Sequence, residues 1–328
     1  MSISIIIPTF NSAAYILPLW SSLSSSGLID FCIEIIVVND ASTDETNEVL
    51  KKINNSKLSV YTLKKNHGRF QARLYGAQKA KGQWLLYLDS RITVERGFLL
   101  SVQQAIVRDL PTIGLVEIDI TKNIFCLYWQ RSHEKIFQRN FKIINEPMML
   151  NKKNYEYFAK GTTIFLVKRD SFLSVCQKVS PEKQKADDTY LLKLFAESSG
   201  VLIDPRLIIH WEPRAKLLPF LYRLFERGPS FVQYHVLTRR AGHFFYSVVA
   251  GLIIICIEFV LLAKSFVAGL SFFLVLLCLF AASVFLFGKN WRESVRMMLL
   301  HVLVIFSFGL GILYGLIYNL SHGVHKHG

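Results

Sequence analysis

Three apolar runs in the last third of the chain, about 244–263, 265–287 and 297–320, limit what the rest can be. Each offers roughly the 20 apolar residues that a hydrocarbon core requires. Lys264 alone separates the first two, and the short basic link 289–296 separates the second and third. This arrangement predicts a soluble part of about 240 residues followed by a membrane part. Arg239 and Arg240 precede the first run, and Lys289, Arg292 and Arg296 lie between the second and third. Cytoplasmic loops carry the excess of Lys and Arg. The expectation is therefore a multi-pass protein of the inner (cytoplasmic) membrane, with the first 240 residues cytoplasmic and the tail 321–328 on the far side.

Charge narrows the partners. Lys and Arg number 38 against 24 Asp and Glu, a formal net charge of +14. An anionic membrane surface or a phosphorylated substrate explains such an excess. The basic residues flank the spans and no nucleic-acid motif is present, so nucleic acid is not expected as a partner. The five cysteines are scattered without CxxC spacing, which excludes a disulfide framework and a zinc site. Residues 2–7 are apolar, but Pro8 ends the run too early for a signal peptide, so it reads as a buried strand.

The first half alternates strand-like and helix-like segments. Strands are predicted over 4–7, 33–38, 58–63 and 84–88. Helices are predicted over 13–25, over 43–53 with Ser42 or Thr43 as N-cap, and over 69–80 with Gly82 as the closing residue. Continuous apolar strands between amphipathic helices indicate a mostly parallel sheet covered on both faces. In such sheets ligands bind beyond the carboxyl ends of the strands. Pro8-Thr9-Phe10, Asn39-Asp40 and Asp89 occupy such ends and should converge on one crevice. Further on, 115–120 and 163–167 read as strands. The basic-aromatic stretch 122–153 between them reads as a solvated loop or as a lip over the site.

Several residues carry chemistry by position. Asp89 ends the buried strand 84–88, a good place to hold a metal that carries a diphosphate. Arg91 follows two residues later, where a second carboxylate would complete a short acidic motif. Arg73 lies on a helix whose apolar face is Phe70, Leu74 and Ala77; it points into the crevice or into solvent. Asp187 and Asp188 precede the helical stretch 189–196, where acids suit the helix dipole and where one carboxylate suits a general base. His210 ends the strand-like Leu207-Ile208-Ile209. Residues 217–225 have helical apolar spacing with a basic opposite face, which predicts a helix lying on the membrane surface. Arg223 and Arg227 share one of its faces, suited to a phosphate or to anionic head groups. Glu258 sits inside the first apolar run, with His301 as a candidate partner.

In order, Ser4-Ile5-Ile6-Ile7-Pro8-Thr9-Phe10-Asn11, the stretch from Glu34 to Asp44, Asn66-His67-Gly68, Ala72-Arg73, Gly76, Ala80-Lys81-Gly82, Asp187-Asp188-Thr189-Tyr190-Leu191 and Pro205 through His210 resemble the family 2 glycosyltransferases. These are inverting enzymes with a GT-A fold, and the resemblance runs from Ser4 to about His210. It implies an α/β, Rossmann-like nucleotide-diphosphate-sugar-binding domain over 1–213. A basic amphipathic interface segment (214–240) and a domain of three transmembrane helices (241–328) follow. It assigns donor contacts to Pro8, Thr9, Phe10, Asp40 (which reads the nucleobase), Arg73, Asp89 and Arg91. Asp188 becomes the catalytic base, and Asp187, Gly161, Thr162, Arg223 and Arg227 contact acceptor or phosphate. A divalent cation, Mn²⁺ or Mg²⁺, would sit on Asp89 and His210. Arg91 departs from the family pattern and leaves two readings open. It clamps the diphosphate beside a metal or pairs with Glu95, or it replaces the metal. The implied function is sugar transfer from a nucleotide-diphosphate sugar to a lipid-linked or membrane-proximal acceptor, such as a polyprenyl phosphate, in cell-envelope glycan synthesis. The other reading is a non-catalytic nucleotide-sugar-binding regulator or scaffold with a degenerate acidic motif.

Overall fold

The computed structural model describes residues 1–136, 146–158, 161–179, 187–238 and 243–321. Arg239, Arg240, the middle of the 122–153 stretch and the tail from residue 322 lie outside them, as do the side chains of Asp187 and Asp188. The elements run β1 (Ile3–Thr9), α1 (Ala13–Ser25), α2 (Leu28–Phe31), β2 (Glu34–Asn39), α3 (Thr46–Lys51), β3 (Leu58–Thr62), α4 (Arg69–Lys79), β4 (Trp84–Leu88), β5 (Ile92–Thr93), α5 (Phe98–Val107), β6 (Thr112–Glu117) and α6 (Ile124–Ile136). They continue with β7 (Met148–Leu150), β8 (Ile164–Lys168), α7 (Arg169–Cys176), α8 (Asp187–Ser198), β9 (Val201–Trp211), α9 (Leu217–Phe231), α10 (His243–Lys264), α11 (Phe266–Phe287) and α12 (Trp291–Ser321). They fall into two units: Met1–Asp119 with Ile136–Pro213, and Ile120–Lys135 with Arg214–Gly328.

The first unit is built on a nine-stranded mixed sheet in the order β3-β2-β1-β4-β8-β6-β9-β5, with β7 also on β9. Successive side chains of a strand face opposite sides, and the sequence uses both. Ile3, Ile5 and Ile7, with Ile35, Val37, Leu86 and Leu88, enter the layer that contains Leu19, Leu23 and Val102. Ile6, Ile36, Val38, Leu85 and Tyr87 enter the layer with Phe70, Ala77, Phe165 and Phe195. β1 to β4 are mutually parallel as expected. The second half is not: β8 runs antiparallel to both β4 and β6. Apolar runs fix burial but not direction, so the alternation predicted the layers and missed the reversal.

Three local expectations are corrected. The helix predicted over 43–53 starts only at Thr46, because the Asp44 carboxylate accepts from the Thr46 N–H and hydroxyl and from the Ala13 N–H at 3.1 Å. This ties the turn before α3 to the start of α1. Gly82 does not close α4 in a left-handed turn; the helix ends at an extended Ala80. Glycine is required at 82 because a Cβ would lie 2.5 Å from the Ser4 N. The stretch 122–153 is not a loop throughout, since its first part is α6. Asn123 caps it, its carboxamide oxygen accepting from the Cys126 N–H at 2.9 Å. Cys126, Leu127, Tyr128 and Trp129 are buried.

The second unit contains α6 and α9 to α12. Among the described residues, two segments are long and apolar enough to cross a membrane, Phe266–Phe287 of α11 and Trp291–Asn319 of α12. α9, whose amphipathic pattern predicted a membrane-surface helix, packs against α12 along one side. The contact is backbone against backbone: a Cβ on Gly228 would overlap Gly311, and one on Gly311 would overlap the Phe225 carbonyl. Ser307 donates to the Leu221 carbonyl at 2.8 Å. Ser307, Gly311 and Gly315 recur every four residues, the small-residue stripe that lets helices approach closely in lipid. α6 packs into the same unit. Tyr128 stacks on Phe287 with ring centroids 4.8 Å apart, and its hydroxyl lies 3.0 Å from His301 Nδ1. His301 therefore partners Tyr128 and not Glu258. Arg131, 3% exposed, donates to both carboxylate oxygens of Glu293 at 2.8 and 2.9 Å and to Glu134 at 2.9 Å.

Candidate active site

The carboxyl ends of β1, β2 and β4 face the same way. β1 pairs with β2 through Thr9–Asn39, but its ladder with β4 stops at Ile6–Tyr87. Pro8, two residues on, has no N–H to offer a neighbour. β4 instead continues against β8, through Leu88–Ile164 and an Asp89 N–H that donates to the Thr163 carbonyl at 2.9 Å. The sheet thus divides where the strand order reverses, the place where open α/β sheets bind ligands.

The turns at this division are tightly held. Asn11 and Ala41 both adopt left-handed backbone, with φ of 50° and 58°. Such φ values are uncommon outside glycine and cluster at functional sites. Asn11 is fixed by its own N–H to Ser42 Oγ and by its side-chain oxygen, which accepts from the Thr43 N–H. The Asp40 N–H donates to the Thr9 carbonyl at 2.9 Å. Across the division, the Ser12 and Ser90 hydroxyls are hydrogen-bonded at 2.8 Å, and both residues are buried.

The structure brings most of the donor residues to this edge. Thr9 is buried, and its hydroxyl has no hydrogen-bond partner among the described residues. An unsatisfied buried hydroxyl is costly and points to a missing acceptor. Phe10 next to it is exposed. Asp89 is half-buried at the end of β4, and among the described residues its carboxylate makes no ion pair. The Arg91 guanidinium lies over the Tyr15 ring, 5.0 Å from its centroid, and makes no ion pair among the described residues. Asp40 is buried, and both its oxygens accept backbone N–H groups, from His67 and Gly68 at 2.8 Å. It therefore fixes the entry to α4, a structural duty beside the base contact expected of it.

Arg73 is on the buried face of α4, 2% exposed, and its Nη2 donates to the Thr162 carbonyl at 3.2 Å. The Tyr87 hydroxyl lies 3.5 Å from the Arg73 carbonyl, and burial pushes this phenol well above its usual pKa, so it stays a neutral donor. Thr162, fully buried, and half-buried Gly161 precede β8 at the same edge as Asp89. Asp187 and Asp188 form the first turn of α8, whose Leu191, Leu192 and Phe195 are buried in the sheet layer; Phe195 packs edge-on to Phe165 of β8 at 5.5 Å. Arg223 and Arg227 belong to the other unit. Arg223 lies 3.4 Å from Glu226, and Arg227 sits over the Trp129 ring at 4.5 Å.

His210 stands opposite Thr93 of β5 and Glu117 of β6. Its Nε2 is 2.9 Å from Glu95 and its Nδ1 3.7 Å from Glu117. Glu95 thus pairs with His210 and not with Arg91. Tyr15, Ser12, Ser90 and Glu117 were not foreseen. Only the serine beside Asp89 had a sequence signal; the others depend on strand order and register.

A mixed α/β sheet divided beside β1, with a carboxylate and an orphaned hydroxyl at its carboxyl edge, is an arrangement of GT-A type. The family model "Glycosyl transferase family 2" matches residues 4–175. That is more than half of the chain, so the chain belongs to this family and its class is glycosyltransferase. It is 36% identical over 92 residues to the poly(ribitol-phosphate) beta-N-acetylglucosaminyltransferase TarS of Staphylococcus aureus, covering 27% of this chain and 16% of that protein. It is 34% identical over 95 residues to an uncharacterized glycosyltransferase, MG060, of Mycoplasma genitalium, covering 27% and 32%. The chain thus spans well under half the length of these relatives. The crystal structure of S. aureus TarS 1–349 with UDP-GlcNAc superimposes with a TM-score of 0.50 at 19% identity, covering 71% of this chain and 67% of that one.

Glycosyltransferases of this fold commonly use a divalent cation. The residues here do not match that need. Among the described residues no group of three or more His, Cys, Asp and Glu side chains is placed to hold a metal. Both ring nitrogens of His210 face carboxylates, and the place of the second carboxylate after Asp89 holds a permanent cation.

Proposed function

We propose that this chain transfers a sugar from a nucleotide-diphosphate sugar to an acceptor at the membrane, with inversion, in cell-envelope glycan synthesis. The observation that carries this reading is the divided sheet edge, where the buried Thr9 hydroxyl has no hydrogen-bond partner among the described residues and Asp89 stands half-buried at the end of β4. The diphosphate lies at the ends of β1 and β4, and Asp40 and Arg73 frame the nucleotide side. Asp188 is the base. Its carboxylate takes the acceptor hydroxyl proton as that oxygen attacks the anomeric carbon, and the bond from that carbon to the diphosphate breaks with its electron pair leaving on phosphate. One carboxylate suffices for this single displacement. Gly161 and Thr162 face the acceptor.

A lipid-linked acceptor, such as a polyprenyl phosphate, fits a catalytic domain followed by apolar helices. In this reading α10 is a third span beside α11 and α12, residues 1–213 form a cytoplasmic catalytic domain, and the inner membrane is the location. Arg223 and Arg227 of α9 serve the acceptor phosphate. UDP-N-acetylglucosamine is the first donor to try, because a relative of the same fold binds it.

The test is Asp188→Asn in the full chain. Transfer should fall by about 10²–10⁴-fold while nucleotide binding stays within about twofold. Full activity in this variant would remove Asp188 from the mechanism.

A further inference from the structure

Arg91 stands at the edge of β4 in the place of an expected carboxylate, and its surroundings show what it is for. We infer that Arg91 is the cation that neutralises the diphosphate leaving group, in place of a divalent metal. This rests on the donor site proposed above.

Four observations support it. First, the segment carrying Arg91 is fixed across the division of the sheet, by the Ser12–Ser90 hydroxyl pair on one side and by the Glu212 N–H donating to the Arg91 carbonyl at 3.1 Å on the other. Second, the guanidinium lies over Tyr15 at 5.0 Å. This cation–π contact engages no acceptor oxygen, so the N–H donors of the guanidinium remain for a bidentate bond to phosphate. Third, Glu95, the carboxylate best placed in sequence to neutralise Arg91, is engaged by His210 at 2.9 Å. The guanidinium thus keeps its full charge for a ligand. Fourth, His210, the residue expected to complete a metal shell, faces a carboxylate at each ring nitrogen. A divalent ion here would have Asp89 as its one carboxylate from this motif and a permanent positive charge beside it.

The step follows without a metal. As the acceptor oxygen bonds to the anomeric carbon and its proton passes to Asp188, the sugar–phosphate bond breaks and its electron pair goes to the terminal diphosphate oxygen. The guanidinium N–H groups of Arg91 donate to that oxygen and its neighbour as negative charge grows there. The Thr9 hydroxyl donates to a second diphosphate oxygen. Preorganised donors aimed at developing charge are the largest single contribution in many enzymes.

The experiment is calorimetric titration of the full chain in detergent with UDP and with GDP, in Mn²⁺ and then in EDTA. The expected result is an affinity equal within about twofold in the two conditions. Arg91→Gln should then weaken binding by about tenfold to a hundredfold with an unchanged melting temperature. Arg91→Lys, which keeps the charge but not the fork, should fall between. Arg91→Asp, which rebuilds the acidic pair with Asp89, should bind in Mn²⁺ and not in EDTA. Wild-type binding that requires Mn²⁺, or Arg91→Gln and Arg91→Lys affinities equal to wild type, would overturn the inference and leave the donor site standing. Binding of neither nucleotide in either condition would overturn the donor site and the inference together.

Discussion

Helix α4 crosses β1 and helix α9 crosses α12, and glycine stands at both crossings. At the first, a Cβ on Gly76 would lie 2.5 Å from the Ile6 Cγ2 methyl, a side-chain atom. At the second, glycine faces backbone: Gly228 against Gly311, and Gly315 2.7 Å from Pro229 Cα by the same measure. The first crossing lies within a thick apolar core, where a neighbouring side chain can shift. The second has no side chain to move. At the first crossing the burial of apolar surface draws the layers together, whereas at the second small residues permit close backbone approach and the Ser307 hydrogen bond adds to it. Both units hold ion-paired arginines, Arg108 and Arg206 on Asp204 in the sheet unit among them, but one arginine in each makes a contrast. Arg91 in the sheet unit is left without an ion pair among the described residues, whereas Arg131 in the helical unit is bound to Glu293 and Glu134.

The sharpest way to break this comparison is Gly311→Leu. The added side chain meets the Phe225 carbonyl with no room to relax, so the helical unit should lose at least about 3 kcal/mol. A lowered melting temperature in detergent, with nucleotide binding by the sheet unit retained, would agree; a wild-type melt would show that the crossing is loose. Arg131→Met is next. It leaves the Glu293 carboxylate, 22% exposed, without its main partner, and a buried pair broken from one side costs several kcal/mol. The partial exposure reduces this to about 2 kcal/mol, readable in the same melt. The smallest effect on stability is Thr9→Val. Removing an unsatisfied hydroxyl should leave the melt unchanged or raise stability by about 0.5–1 kcal/mol. Affinity for UDP should nonetheless fall by about tenfold. A destabilised Thr9→Val with normal affinity would mean the hydroxyl serves the fold and not the ligand.

The gathering of Thr9, Asp40 and Asp89 at one sheet edge was legible because it is fixed by local pattern. Buried, mostly apolar runs ending at Thr9, Asn39 and Leu88 place the next side chains at one edge whenever the strands are parallel, and β1, β2 and β4 are. The rest of the site was less legible. The His210 pairing with Glu95 and Glu117 comes from β9 lying between β5 and β6, with a register shift at Gly114–Leu115 against β9. No local spacing encodes that order. α6 was hidden because Arg131 and His133 interleave its aromatic face, and burial of Arg131 makes sense only once Glu293, far along the chain, is beside it.

By itself, then, the sequence determined what each strand buries, where the parallel strands end, and that apolar helices follow the sheet, because these depend on the period of side chains along one element. Only the tertiary structure decided that β8 runs backwards, that α9 packs on α12, and that Arg91 rests on Tyr15 while His210 takes Glu95. Those outcomes depend on which distant segments share an edge, and hydrogen-bond register and close packing settle that only when the whole chain is in place.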